Sequence, residues 1–206
     1  MSIQLTFEQA RVLGCLIEKD MATPEYYPLS ANALVNACNQ KNNRDPITHF
    51  DEETVLSTID ELRALQLATV LSGGSNRVPK YGHRASEILD LNNREMAVVC
   101  VLLLRGPQTL NEIKTRTESL YHFDDHDAVE NTLRRLSERA MAILLPKQPG
   151  TREPRWTHLL SGEFSLPPPP IESQPQPDSL ASRVARLEAE IESLKSQFAE
   201  FRKQFE

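Results

Sequence analysis

The feature that most constrains the fold is an internal duplication. The segment Arg77–His83 (RVPKYGH) aligns with Arg152–His158 (REPRWTH), and five of the seven positions keep the residue or its chemical type. In each copy a short β-prone run and a turn-rich stretch precede this segment, a pattern that predicts a β-hairpin. The β-prone runs are 68–71 and 142–145. The sequence therefore predicts one folding unit that occurs twice.

Three helices are predicted before each hairpin. The first helix of each copy opens with capping-box spacing, Thr6 with Gln9 and Asn92 with Glu95. Further helix starts are predicted at Ser30, Asp51, Thr109 and Asp125. Three helices followed by a hairpin is the order of a winged helix-turn-helix. We therefore expect a mainly α fold with small hairpins (α+β), built from two tandem winged-helix domains over residues 1–88 and 89–164.

The last part of the chain has a different composition. Residues 165–178 are rich in proline, serine and glutamine, which favours an extended linker. Residues 179–206 carry apolar side chains at alternating spacings of four and three, which predicts a coiled-coil helix that joins two chains as a homodimer. The alternative is that this helix folds back on its own domain. The predicted oligomerisation residues are Leu180, Val184, Leu187, Ile191, Leu194, Phe198, Phe201 and Phe205.

Several short motifs together resemble a known family. They are Leu16–Lys19, Thr23–Glu25, Tyr27–Ser30, Asn36–Arg44, Asn76–Val78 and Lys80–Tyr81. With these motifs the chain resembles the YceH family of uncharacterised bacterial proteins, from about Leu5 to Phe164. The resemblance implies a tandem winged-helix fold in a bacterial cytosolic protein. It implies no catalytic residues, because the family has no established activity.

The charge distribution limits how the chain could contact nucleic acid. There are 23 Lys and Arg against 29 Asp and Glu, a formal net charge of -6, so no strong basic field surrounds the protein. The third helix of the first copy has five acidic residues between Asp51 and Glu61 against a single Arg63, and duplex DNA would be repelled by this face. The equivalent helix of the second copy gains Arg134 and Arg135. Any DNA contact must therefore be local.

Candidate contacts with nucleic acid or a protein partner come from three places: the loop after the second helix, the two hairpins, and the third helix of the second copy. Amides can pair with adenine edges, and arginines can bind phosphates or carboxylates at two points. Asparagines also build turns, and hairpin cations also discourage sheet-to-sheet aggregation, so structural alternatives stay open. The candidates are Asn39, Lys41, Asn43, Arg44, Arg77, Lys80, Arg134, Arg135, Arg152 and Arg155.

No pattern of catalytic or metal-binding residues emerges. Cys15, Cys38 and Cys100 are odd in number and far apart, and we interpret them as core thiols. His122 and His126 flank two aspartates in a manner that resembles metal-ligand spacing, but a helix start explains the acids. The sequence contains no phosphate-binding loop or nucleophile elbow. We therefore expect a protein that is not an enzyme and has no cofactor, metal site or catalytic residue.

Two functions from different classes fit these patterns. The first is a DNA-associated regulator, a homodimer that presents its hairpins and third helices to duplex DNA. The second is a protein-interaction scaffold whose acidic winged helices bind a partner chain without touching DNA, as winged-helix subunits resembling chromosome-condensation accessory proteins do. No transmembrane run or secretory signal is present, so we expect a cytoplasmic protein without membrane contact.

Overall fold

A computed structural model describes residues 3–73, 76–147 and 150–162, although only the backbone pairing is described for Gly73, Asn76 and Arg77. In the tail it describes a smaller set of helical positions. Contacts divide the chain into two compact units, Met1–Phe164 and Ser165–Glu206. The described tail residues are Val184, Leu187, Glu188, Glu190, Ile191, Glu192, Leu194, Lys195 and Gln197.

The first unit contains the same series of elements twice, and it is mainly helical with two small hairpins. The first series consists of α1 (Phe7–Ala22), a short 3-10 helix (Pro24–Tyr26), α2 (Ala31–Cys38), α3 (Glu52–Ala64), β1 (Ala68–Gly73) and β2 (Asn76–His83). A one-turn helix, α4 (Ala85–Ile88), connects the two series. The second series consists of α5 (Asn93–Arg105), α6 (Leu110–Thr117), α7 (His126–Glu138), β3 (Ala142–Leu144) and β4 (Trp156–His158).

The helices begin where the capping residues predict. Thr6 and Gln9 form a complete capping box before α1, as Asn92 and Glu95 do before α5. A third capping box, at Thr109, precedes α6. The side chains of the N-cap aspartates before α3 and α7 each accept a hydrogen bond from the backbone N–H three residues on. These interactions satisfy N–H groups that a helix start leaves unpaired, which is why local sequence predicted the starts correctly.

Each hairpin is antiparallel and receives one more bridge from the segment before the second helix of its copy. Ala68 lies opposite His83 in the first hairpin, and Ala142 lies opposite His158 in the second. Leu29 bridges Tyr81, and Gln108 bridges Trp156 in the same way. Since both bridges fall at equivalent places, the structure confirms that the sequence repeat is a structural repeat.

The two copies pack through their first helices into one hydrophobic core. Within α1, residues 9–17 are all buried, as are residues 95–104 within α5. Gly14 lies at the contact, and the thiol of Cys100 donates to its carbonyl oxygen over 3.4 Å. Within the described part of the chain, no helix, α5 included, has both the length and the apolar character needed to span a membrane.

Gly14 allows this close approach because it has no side chain. A Cβ at this position would lie 2.8 Å from Leu104 Cδ2 and 2.9 Å from Leu104 Cγ. Both distances are shorter than carbon–carbon contacts allow, so a methyl group would force α1 and α5 apart or push Leu104 out of its place. Overpacking of this kind destabilises a core by about 1–3 kcal/mol.

We expect Gly14→Ala to lower the free energy of unfolding by up to about 2 kcal/mol, because the helix-propensity gain of about 1 kcal/mol offsets only part of the overpacking cost of about 1–3 kcal/mol. In a Leu104→Ala background the same substitution should cost nothing or should stabilise, since the clashing atoms are gone. Urea unfolding of the four proteins measures this difference. An equal cost in both backgrounds would show that Gly14 does not set the helix spacing.

Candidate nucleic-acid or partner interface

Arg44, one of the candidates in the loop after α2, is buried. Its side chain is 0 % exposed, and Nη2 and Nη1 donate to the two carboxylate oxygens of Glu18 at 2.6 and 3.0 Å. Its Nε donates to the carbonyl of Ala37 at 3.0 Å. Burial opposes the charge, but the hydrogen bonds and charge of Glu18 dominate and raise the pKa of Arg44. Arg44 therefore fastens the loop to α1 and presents no surface to a ligand.

The asparagines of the same loop also have structural partners. Asn39 Nδ2 donates to the carbonyl of Phe50 at 2.7 Å, and Asn39 Oδ1 accepts from the N–H of Phe50 at 2.8 Å. Asn43 adopts a positive φ of 64°, and its side-chain oxygen accepts from Arg105. Lys41 is exposed. The turn-building alternative thus accounts for both asparagines, and Lys41 is the candidate here that faces solvent.

The candidate cations of the hairpins differ in their exposure and in their hydrogen-bond partners. Arg155 Nη1 donates to Glu112 Oε2 at 2.8 Å and to the carbonyl of Pro107 at 2.9 Å, so it ties the second hairpin to α6. Arg152, in the connection between β3 and β4, is exposed. Lys80 is half-buried on β2, and the side chain of Arg77 lies outside the described residues.

The arginines of α7 lie on a solvent-exposed face beside a groove. The groove runs between the start of α5 and α7, and its volume is about 530 Å³. Arg134 and Arg135 line it, and both are exposed. Arg134 pairs with Glu130 of its own helix at 3.2 Å. Within the described residues, no carboxylate forms an ion pair with Arg135.

Arg94 completes this surface and was missed by the sequence analysis. It lines the groove beside Arg134 and Arg135, and its Nε donates to the hydroxyl of Tyr121 at 2.7 Å. Its guanidinium carbon lies 5.6 Å from the centre of the Tyr121 ring. The sequence alone did not indicate Arg94, because this residue lies in α5 and only folding brings it beside α7. We call Arg94, Arg134 and Arg135 the arginine face.

The equivalent groove of the first copy is acidic. It lies between the start of α1 and α3, with a volume of about 410 Å³. Its charged lining residues are Glu8, Asp51, Glu53 and Glu61, with no lysine or arginine among the described residues that line it. We call this set the acidic face. The two copies therefore share a groove of the same construction but differ in its charge.

Folding also collects the three cysteines around buried arginines, which sequence spacing did not reveal. Arg11 is 0 % exposed, and its guanidinium donates to the carbonyls of Pro46 at 2.6 Å and Cys38 at 3.4 Å. All three thiols are buried and free. The hydrogen bond with Cys15, together with burial, raises the pKa of Cys38, and burial raises that of Cys100. Buried, free thiols pack as small apolar groups, as expected of core cysteines.

Two histidines, His83 and His158, lie at the ends of the second strands of the hairpins. His83 Nε2 lies 3.2 Å from a carboxylate oxygen of Asp20, and His83 Nδ1 accepts from the N–H of Ala85. Burial lowers the pKa of His83, and it lowers the pKa of His158 to about 4. His122 pairs with Glu118 at 2.5 Å. Among the residues described, no three histidine, cysteine or acidic side chains are grouped as metal ligands.

We expect Glu18→Ala to lower the free energy of unfolding by about 3–5 kcal/mol, because it leaves the buried Arg44 guanidinium without its counter-charge. Glu87→Ala is the matched control, since it removes the carboxylate of an exposed Arg84–Glu87 pair at 2.8 Å. That change should cost about 0–1 kcal/mol. Urea unfolding compares the two, and similar costs would mean that the Glu18–Arg44 pair is not structurally important.

The sequence matches a family model over most of its length and many relatives over nearly its whole length. The family is described as "Protein of unknown function, DUF480", and it matches residues 5–151. A UPF0502 protein of Solibacter usitatus is 48% identical over 207 residues, covering 100% of both chains. UPF0502 proteins of Geobacter sulfurreducens and Vibrio vulnificus are 44% and 45% identical, covering 100% and 98% of this chain and 100% and 97% of their own.

These matches confirm the resemblance stated from the motifs at the level of a bacterial family without a characterised function. Both the family description and the relatives' names are silent on activity, ligand and partner. The chain therefore belongs to the DUF480 family, a family of uncharacterised bacterial proteins whose relatives are called UPF0502 proteins.

Proposed function

We propose that this chain is a non-enzymatic, cytoplasmic tandem winged-helix protein that contacts duplex DNA through its second copy. The order of three helices and a hairpin supports the winged-helix assignment, as does the extra bridge that joins each hairpin to the segment before its second helix. In a winged helix the third helix enters the major groove. The corresponding helices here are α3 and α7.

The observation that carries this proposal is the arginine face beside α7. Arg134 and Arg135 are exposed on the third helix, and Arg94 adds a third cation from the neighbouring helix. Arg152 is an exposed cation in the hairpin connection of the same copy. Guanidinium groups can bind backbone phosphates, and Arg135 has no competing carboxylate in the described part of the chain. The DNA contact is therefore local and electrostatic in character.

A second candidate function is a protein-interaction scaffold that does not touch DNA. The acidic face favours it, because four carboxylates and no cation among the described residues line the groove of the first copy. That surface would repel phosphates and attract a basic segment of another protein. Duplex binding separates the two functions, since the scaffold requires none at any salt concentration.

We also propose that the C-terminal heptads join two chains as a coiled coil. The described apolar tail residues are helical and exposed within one chain: Val184 at 49%, Leu187 at 55%, Ile191 at 51% and Leu194 at 64%. An exposed apolar seam at this spacing is stabilised when a second helix covers it. The other predicted seam residues, Leu180, Phe198, Phe201 and Phe205, lie outside the described residues.

The DNA proposal is tested with random-sequence duplex at low and then at physiological salt, measured by fluorescence anisotropy. Arg134→Ala with Arg135→Ala should weaken binding by about tenfold and reduce the slope of log K against log salt by about 1.8, since two phosphate contacts are lost. Thermal unfolding should not change, because both side chains are exposed.

The matched control changes the equivalent positions of α3, Asp60→Ala with Glu61→Ala. Removing two carboxylates should leave DNA affinity unchanged or raise it. Absence of duplex binding at both salt concentrations would overturn the DNA proposal in favour of the scaffold. Equal affinity in the α7 variant would exclude the arginine face as the contact.

For the tail, Leu187→Asp with Leu194→Asp in the full chain should convert a dimer into a monomer, because charges replace two apolar seam residues. Sedimentation at about 0.5 M salt measures this while weak surface charge contacts are screened. Glu192→Ala, at an outward heptad position, is the control and should remain dimeric. A dimer in the Asp variant would contradict the coiled coil.

A further inference from the structure

The grooves of the two copies are built from equivalent residues. Thr6, which caps α1, corresponds to Asn92, which caps α5, and both line their grooves. The N-cap aspartates of α3 and α7 also correspond and also line the grooves. The acidic positions Glu53 and Asp127 are equivalent as well. The duplication has therefore preserved the framework of the groove, and differences elsewhere along it can be compared position by position.

Three equivalent positions have opposite charges. Glu8 in the first copy corresponds to Arg94 in the second, two residues after the cap in each case. Asp60 corresponds to Arg134, and Glu61 corresponds to Arg135, as the aligned third helices show. All of these residues except Asp60 line a groove. One chain thus carries two grooves of the same framework in which these three equivalent positions have opposite charges.

One side chain of the arginine face, Arg94, is held in position by Tyr121. The hydroxyl of Tyr121 accepts from Arg94 Nε, and the Tyr121 ring packs against the buried Phe123 with centroids 4.9 Å apart. This contact restricts the Arg94 side chain and so reduces the entropy lost on binding. Four carboxylates, Glu95, Asp125, Asp127 and Glu138, also line this groove. Glu95 is buried and Asp125 caps α7, so part of their hydrogen-bonding capacity is already used. The adjoining pocket beside Tyr121 is lined by Arg94 and Arg135, with no carboxylate among the described residues that line it.

We propose that the acidic face of one molecule docks on the arginine face of a second copy of this chain. Charge complementarity identifies the occupant, because each chain supplies both members of the contact on matching frameworks. Glu8 and Glu61 of one molecule would pair with Arg94 and Arg135 of the other. The inference goes beyond the proposed DNA contact and does not depend on it, since the contact forms between protein surfaces alone.

The salt dependence of such a contact has a definite sign. The whole chain has a formal net charge of -6, so two molecules repel each other at long range, and added salt weakens that repulsion. Docking by Glu–Arg pairs is weakened by added salt instead, because salt screens the attraction between the pairs. Association that falls as salt rises therefore indicates local pairing between the faces rather than general colloidal behaviour.

The experiment uses the full chain with Leu187→Asp and Leu194→Asp, so that the heptads do not contribute, and no DNA. Sedimentation at low salt should show self-association that is lost at about 0.5 M salt. Glu8→Arg with Glu61→Arg replaces the two carboxylates proposed to pair, which leaves two arginines against Asp51 and Glu53 in that groove. Arg94→Glu with Arg135→Glu reverses the charge of the two proposed partners in the other groove. Each variant alone should associate at least about tenfold more weakly than the parent, whereas an equal mixture of the two should regain the parent's affinity within about threefold.

Mixing serves as the internal control, since a variant that failed to fold could not recover association with its complement. Thermal unfolding of each variant checks the same point directly. A parent chain that stays monomeric at low salt would overturn the proposal and leave the acidic face to a basic partner of another kind. Variants that associate as well as the parent, or that gain nothing on mixing, would also overturn it. None of these outcomes bears on DNA affinity, which is measured separately.

Discussion

The packing of α1 against α5 is the contact on which the rest of the structure depends. These are the most buried helices of their copies, and Gly14 lets them approach closely enough for the Cys100 thiol to reach the backbone of α1. Other links surround the crossing: the Asp45 N–H donates to the carbonyl of Leu104, and the Leu5 N–H donates to that of Leu160. The two copies are therefore halves of one core, and each lends apolar surface that the other needs.

Much of this fold could be predicted from local sequence because local interactions specify it. Capping boxes and N-cap aspartates involve residues three apart, so they can be recognised without knowing the tertiary structure. The hairpins were predicted correctly for the same reason, since β-prone runs and turn residues lie next to each other in the chain. The duplication made each prediction more secure, because every element had a counterpart.

The candidate site was less predictable because exposure and pairing depend on residues far apart in sequence. Arginine is a residue type that often binds anionic ligands, yet the Arg44 side chain is buried and donates to Glu18 of α1. Arg155 is similarly occupied by Glu112. Arg94, by contrast, had no local feature to mark it until the fold brought it beside α7. A list of cations in the sequence thus mixes structural and available arginines, and only tertiary contacts separate them.

The shared core also determines what the two third helices can do together. Since α1 and α5 pack directly on each other, the first three-helix unit cannot turn independently of the second without exposing apolar side chains to water. A flexible linker between the two copies would let their third helices bind targets at varied separations. In this protein the shared core instead fixes the distance and the angle between α3 and α7. Any larger molecule that contacts both helices at once must therefore match that one distance and angle.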